Sequence, residues 1–348
     1  MKISNISIGK DTPPFLIAEM SGNHNQSLDR SLKIVRAAAA CGVQAIKLQT
    51  YTPDTITLNV KLDDFFISDK GSPWYERYLY DLYQDAYTPW EWHKEIMDES
   101  RRVGLVCFST PFDESAVDFL ETLNVPAYKI ASFENTDLPL IRKVASTGKP
   151  LLISCGLASL TELEETVEVL REEHCTEFAL LKCTSSYPAL AKHSNILTIP
   201  EMRKRFGCEV GLSDHSMGIG VAIAAVSHGA VIIEKHFTLN RQDGGVDSNF
   251  SMEPEELKLL ANEAIVAWEA LGRVHYGPTE VEIDALKSRR SLYIAEDMKS
   301  GDTLTDKTLR KIRPGYGLPT KHYNLLLGRK VTRNIAKGTP LSWELIEE

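Results

Sequence analysis

The chain has 348 residues, 43% apolar and 25% charged, with a formal net charge of −9. This length suffices for one large barrel or two domains with a sizeable core, and the composition excludes a disordered chain. The negative balance argues against nucleic acid or an anionic membrane as partners, although a small anionic substrate remains compatible if lysines gather locally.

No apolar run approaches the ~20 residues of a membrane span, and the first residues, MKISNISIGKDTPPF, lack a signal-peptide core. The six cysteines (41, 107, 155, 175, 183, 208) form no CxxC pair, so free thiols in a reducing cytoplasm are expected.

Short apolar runs alternate with amphipathic segments from Phe15 to about Gly272. Strands are predicted at 15–19, 45–49, 105–109, 127–130, 150–154, 178–182, 209–212 and 231–235. Helices are predicted at 29–41, 89–103, 114–123, 138–147, 160–173, 196–206, 218–228 and 254–271. Asp113 and Ser159 stand where N-caps belong, and Gly42, Gly104 and Gly229 where helices stop. Eight β/α units over roughly 250 residues is the period of a TIM (β/α)8 barrel. The alternative, a doubly wound sheet, lacks a GxGxxG after the first strand.

Residues 50–88 break the rhythm and carry Tyr51, Phe65, Phe66, Trp74, Tyr75, Tyr78, Tyr80, Tyr83 and Tyr87. So aromatic a connection reads as a lid or wall over the barrel mouth, or as a satellite packing cluster or oligomer contact. After Gly272, residues 279–290 (TEVEIDALKSRR) are linker-like, and DMKSGDTL at 297–304 repeats as NIAKGTPL at 334–341. The expected organisation is a barrel domain at 1–280, a linker at 281–290 and a small β-rich module at 291–348.

Catalytic groups in such a barrel come from the carboxyl ends of the strands. Those ends supply Glu19 with Asn23 and His24, Lys47, Thr110, Lys129 with Ser132 and Glu134, Ser154, Lys182 with Thr184, Ser213 with His215, and Lys235 with His236. In residues 211–239, His215 and His236 stand just past the carboxyl ends of two neighbouring strands and either converge on a divalent cation or bond loop carbonyls. Lys47 and Lys129, with hydroxyls of Thr110, Ser132, Ser154 and Ser213, suit a phosphate and carboxylate site. The alternative is that they form structural ion pairs with Glu19, Glu134 or Asp214. Glu19 and Glu134 are candidates for orienting a hydroxyl and for acid/base work.

The segments IAEMSGNHNQS, KLQTYTPDTIT, FSTPFDESAVDFLE, VPAYKIASFE, KCTSSYPA, GLSDHS, IEKHFTL and GGVDSNFSMEP, then RRSLY and IRPGYGLP, resemble the nonulosonic-acid (sialic acid) synthase family over nearly the whole chain. The terminal module looks like that family's antifreeze-like (SAF) domain. The resemblance implies condensation of phosphoenolpyruvate with an N-acetylated amino sugar to a nine-carbon 2-keto acid, releasing phosphate.

It further implies a divalent metal, Mn2+ foremost with Mg2+ or Co2+ as alternatives, on His215 and His236. Lys47, Thr110, Lys129, Ser132, Ser154, Ser213 and, in place of an asparagine, Thr184 would hold phosphoenolpyruvate. Glu134 would help deliver water. Glu19, Tyr187 and Asp247 would face the sugar, and Arg313 would reach it from the partner subunit of a domain-swapped homodimer. MSGNHNQ, TYTPDTIT and ASFE point to 2,4-diacetamido-2,4,6-trideoxy-L-altrose as the sugar, the alternatives being N-acetylmannosamine or another diacetamido sugar. A reading of another class is a non-catalytic sugar-binding protein of polysaccharide assembly.

Overall fold

Segments such as FLIAE, AIKLQT and FALLKC are buried along nearly their whole length, as parallel strands covered on both faces must be. The structure, a computed structural model, describes residues 1–347. Its barrel strands are Phe15–Glu19 (β1), Ala45–Thr50 (β2), Val106–Pro111 (β3), Tyr128–Ile130 (β4), Leu151–Ser154 (β5), Phe178–Cys183 (β6), Glu209–Asp214 (β7) and Ile232–His236 (β8). They pair in parallel and in sequence order, and β8 returns to β1 to close the barrel. The TIM-barrel reading therefore holds, with each predicted strand present.

Eight helices cover the outside: Leu28–Ala40 (α1), His93–Arg102 (α2), Glu114–Thr122 (α3), Leu138–Ala145 (α4), Leu160–Glu172 (α5), Thr198–Phe206 (α6), Gly220–Ser227 (α7) and Pro254–Leu271 (α8). Asp113 caps α3 by accepting from the N–H groups of Ser115 and Ala116, and Ser159 forms a capping box with Glu162 on α5. Each cap contributes about 1 kcal/mol. The helix expected from residue 89 begins at His93, because Trp90–Trp92 form a separate 3-10 turn after Pro89.

Alternation along the strands separates two cores. Phe15, Ile17, Ala45, Phe108, Ala127, Leu152, Ala179, Leu181 and Ile232 fill the barrel interior, and Ile3 and Ile8 of the N-terminal hairpin join them from below. Leu16, Ile46, Leu48, Ile130, Ile153, Leu180, Leu212 and Ile233 point outward against the helices. Gly211 lies in β7 where a Cβ would collide with Ile232 and Leu181, so the strand admits no side chain there.

The segment 50–88 folds into two short helices, Pro53–Ile56 and Leu79–Ala86, joined by irregular chain. Buried histidines hold both of its ends. Thr50 Oγ1 is 2.8 Å from His93 Nε2, and Thr88 Oγ1 is 3.2 Å from His24 Nε2. Burial pushes both imidazoles down to about 4, so they are neutral links in ordinary buffers.

The chain divides after Gly272 into a second compact unit. Its strands Ser291–Ile294 and Leu309–Ile312 pair antiparallel over a core of Leu292, Ile294, Leu304, Leu309, Val331 and Leu341. The sequence repeat is a structural repeat as well. Met298 bridges Ile335, Gly301 and Gly338 turn with φ of 86° and 88°, and the two copies exchange equivalent hydrogen bonds. Asp297 accepts from the Lys337 N–H at 2.8 Å, and Asn334 from the Ser300 N–H at 2.9 Å.

Candidate active site

The barrel register sets Glu19 beside Lys47 and His236 beside Glu19 at the carboxyl end of the strands. Their side chains share the inward face because each follows, by steps of two, an interior apolar residue: Ile17, Ala45 and Ile232. Thr110, Lys129, Ser154, Cys183, Ser213 and Glu234 complete that layer by the same alternation.

At its centre is a buried set of four charges. Lys47 Nζ lies 2.7 Å from Glu19 and 3.8 Å from Glu234, and donates to Thr110 Oγ1 at 3.0 Å. Lys129 Nζ donates to Ser154 Oγ at 2.7 Å and lies 3.5 Å from the same Glu234 oxygen, which also accepts from Ser213 Oγ at 3.1 Å. Burial opposes every one of these charges. Lys129 and Lys47 together outweigh it at Glu234 and hold that carboxyl below its ordinary range. At Glu19 burial prevails, aided by Glu234, and the carboxyl is pushed up. The ion-pair reading is met at Lys47 by Glu19, while Glu234, rather than Glu134 or Asp214, is the carboxylate near both lysines; each lysine also keeps a hydroxyl partner.

Ser132 Oγ accepts from the Gly156 N–H at 3.1 Å. A Cβ on Gly156 would sit 2.6 Å from Ser132 Oγ and clash with Ser185 Oγ, so the backbone here closes directly on two hydroxyls. Thr184 is not brought to this cluster. Its hydroxyl donates to the His193 carbonyl at 3.2 Å, and the hydroxyl that lies beside Gly156 with Ser132 is that of the neighbouring Ser185. Glu134, at the end of the 3-10 turn Ser132–Glu134, has a carboxyl oxygen buried without a hydrogen-bond partner. Burial raises its pKa to about 7 against the pull of Lys129.

His215 and His236 do converge, with ring centroids 5.2 Å apart. His236 is the last residue of β8 rather than the first beyond it. His215 Nδ1 lies 3.1 Å from the Thr184 carbonyl, which makes that nitrogen the donor; against burial, Cys183 and that carbonyl raise the pKa of the ring, so Nε2 offers a lone pair once the ring has lost its second proton. Burial, then His215, keep His236 well below its ordinary pKa, hence in the neutral form that binds metals. Its Nδ1 is buried without a hydrogen-bond partner, 3.7 Å from Asp247, whose carboxylate accepts from Ser21 Oγ.

Among the described residues no three His, Cys, Asp or Glu side chains gather tightly enough to hold a metal. The imidazole pair fits a divalent cation as an incomplete donor set, to be completed by substrate or water. Tyr187 lies 4.5 Å from His215, and Phe250 lies 5.0 Å from His236 and 5.1 Å from Tyr187, forming an aromatic wall beside the pair.

Of the other predicted residues, Tyr187 and Asp247 flank the histidines, whereas Arg313 is exposed and belongs to the second unit. His24 serves the end of segment 50–88 instead of the site. Lys235 points outward to a buried pair with Asp214 at 3.0 Å. Sequence reasoning missed Glu234, Ser185 and Phe250. For Glu234 the signal was available: it lies two residues before His236 and so faces the same way.

Residues 34–276 match the NeuB family and residues 289–347 the SAF domain. The chain is 41% identical to a pseudaminic acid synthase of Campylobacter jejuni, with 98% of each chain covered. It is 40% identical to a pseudaminic acid synthase of Helicobacter pylori, over 96% of this chain and 98% of that one. Among solved structures, the N-acetylneuraminic acid synthetase of Leptospira borgpetersenii in complex with citrate is similar with a TM-score of 0.74 and 30% identity, over 82% of this chain and 94% of that one. The chain belongs to the NeuB family and carries a C-terminal SAF domain.

Proposed function

We propose that this chain catalyses the pseudaminic acid synthase reaction, condensing phosphoenolpyruvate with 2,4-diacetamido-2,4,6-trideoxy-L-altrose and releasing phosphate. The observation that carries the reading is the pair of buried lysines, each with a hydroxyl partner, beside the two convergent imidazoles. In a chain of net charge −9, two buried ammonium groups with hydroxyls around them suit an anion with two acidic ends. The curated relatives at 40% and 41% identity support the choice of sugar.

In this reading Lys47, Lys129, Thr110, Ser132, Ser154 and Ser213 bind phosphoenolpyruvate, with Ser185 taking the contact first assigned to Thr184. C3 of the enol attacks the sugar aldehyde carbon, and positive charge develops at C2. Glu134 accepts a proton from the water that adds to C2, and phosphate then leaves with its bridging oxygen. Glu19, held by Lys47 and by the Gln49 amide at 3.0 Å, orients a sugar hydroxyl together with Tyr187 and Asp247. His215 and His236 would hold a divalent cation, Mn2+ foremost, which supplies Lewis acidity toward the aldehyde oxygen.

Loops after β4 to β7 expose Phe133, Leu157, Leu190, Leu197 and Met217 around the mouth, an apolar rim that favours a covered site. The proposed cover is the terminal module of a second copy, bringing Arg313 to the sugar in a domain-swapped homodimer.

The decisive assay follows phosphate release from phosphoenolpyruvate and Mn2+ with three sugars: the L-altro sugar, one diacetamido trideoxy isomer of it, and N-acetylmannosamine. The expected result is turnover greatest with the L-altro sugar. Release with none of them refutes the condensing activity, and preference for another sugar reassigns the substrate.

A further inference from the structure

One side chain of segment 50–88, Trp74, packs against a ring beside the imidazole pair. Its indole lies 5.4 Å from the Tyr187 ring at an interplanar angle of 50°, and its Nε1–H donates to the Val246 carbonyl at 2.8 Å. Trp74 therefore braces Tyr187 by ring contact and fixes the backbone immediately before Asp247. Those are two of the residues that flank the imidazole pair, reached from a single side chain.

The surroundings show that this contact is built in. Gln26 donates to the Asp85 and Tyr87 carbonyls at 3.1 and 2.7 Å, tying the first βα loop to the end of the segment. Arg30 meets Asp243 at 2.7 Å and ties α1 to the loop that carries Val246 and Asp247. Behind Trp74 lies a cavity of about 490 Å³, also bordered by Gly22, Arg77 and Asn249. The indole is thus half-buried and edged by open space, so a smaller side chain there leaves the barrel cores intact.

With its N–H taken by Val246, Trp74 offers only apolar surface, and Tyr187 and Phe250 extend that surface to the histidines. A hydroxyl placed against such ring faces loses its water without gaining a partner, whereas a methyl group, on the sugar ring or at the tip of an acetyl group, loses nothing. The geometry points to Trp74 as a specificity-determining positioning residue, which sets Tyr187 and Asp247 so that the site accepts a deoxygenated, doubly acetylated sugar over a more hydroxylated one. This inference rests on the proposed condensation and adds to it the residue that selects the sugar.

The test compares the full-length parent with Trp74→Ala and Trp74→Phe in steady-state kinetics on the L-altro sugar and on N-acetylmannosamine. Loss of a ring contact and of the order that one hydrogen bond imposes on the 246–247 backbone corresponds to about a tenfold effect. Trp74→Ala is expected to raise KM for the L-altro sugar about tenfold. Its preference for that sugar over N-acetylmannosamine should fall by a similar factor, with KM for phosphoenolpyruvate unchanged within about twofold. Trp74→Phe keeps a ring and loses the hydrogen bond, so it should fall between, near threefold, and it carries the test if the alanine variant fails to fold. Equal losses on both sugars, a matching rise in KM for phosphoenolpyruvate, or no change beyond twofold overturns the inference while leaving the condensation standing. A parent inert with every sugar overturns both.

Discussion

Glu134 offers a prediction in which stability and activity pull apart. Its pKa in the folded chain is raised from 4.5 to about 7, chiefly by burial, with Asp137 adding to the rise while Lys129 and Lys47 oppose it. The sign follows directly. Between 4.5 and about 7 the folded protein keeps a proton that the unfolded chain has released, so stability is full below the lower value and falls as pH rises through the upper one. At ~1.4 kcal/mol per pH unit this strain approaches 3 kcal/mol above pH ~8. Glu134→Gln removes the charge and should stabilise the ligand-free protein by that order at pH 8, a Tm increase of about 5 °C for the barrel. At pH 4.5, where the parent glutamate is already neutral, the two proteins should melt within about 1 °C of each other. Thermal denaturation of both proteins across that range measures the difference. The same substitution should abolish most phosphate release, because the amide accepts no proton from water. A Tm difference independent of pH, or a variant less stable than the parent at pH 8, refutes the buried-carboxyl argument.

Three further outcomes are expected. Asp214→Asn should lower Tm by about 10 °C, since it strands the buried Lys235 ammonium, a loss of about 3–5 kcal/mol; adding Lys235→Met should recover more than half, and a double variant no better than the single one contradicts the pairing. His236→Ala should weaken Mn2+ binding at least tenfold by titration calorimetry and abolish turnover while far-ultraviolet circular dichroism stays unchanged, whereas full activity of the parent in chelator-treated buffer rules out the metal role. Arg313→Ala should raise KM for the sugar about tenfold and for phosphoenolpyruvate far less, in a parent whose light-scattering mass is that of two chains; the reverse pattern, or an active monomer, removes Arg313 from the site.

The barrel was legible because its two periodicities are so distinct. Strands such as LLIS and helices such as LTELEETVEVLRE leave little ambiguity. Where the expectation slipped, a local contact explains it. Trp90 stacks on Phe119 and donates to the Tyr51 carbonyl, and the 3-10 turn around it delays α2. Segment 50–88 was recognisable as unusual, but its aromatic content alone could not say that Thr50 and Thr88 would be held by His93 and His24. Thr50 and His93 stand 43 residues apart at the two ends of one βα connection, and Thr88 and His24 belong to neighbouring ones, so nothing in local spacing encodes either pairing.

The site was legible to the extent that residues end strands, and obscure where direction matters. Lys235 and His236 are adjacent in sequence, yet alternation sends the first outward to Asp214 and the second inward to the imidazole pair. The same alternation makes Glu234 the inward neighbour of Lys47 and Lys129. Its neglect follows from reading strand ends as points rather than as rows of two. Thr184 and Ser185 illustrate the converse limit, because both follow β6 and only the turn decides which hydroxyl reaches Gly156. Two lysines surrounded by hydroxyls would have suggested a strongly positive layer. With Glu19 and Glu234 both inside it, the layer is nearly balanced before any substrate arrives, and its attraction for an anion depends on Glu19, the carboxyl that burial and Glu234 push toward neutrality.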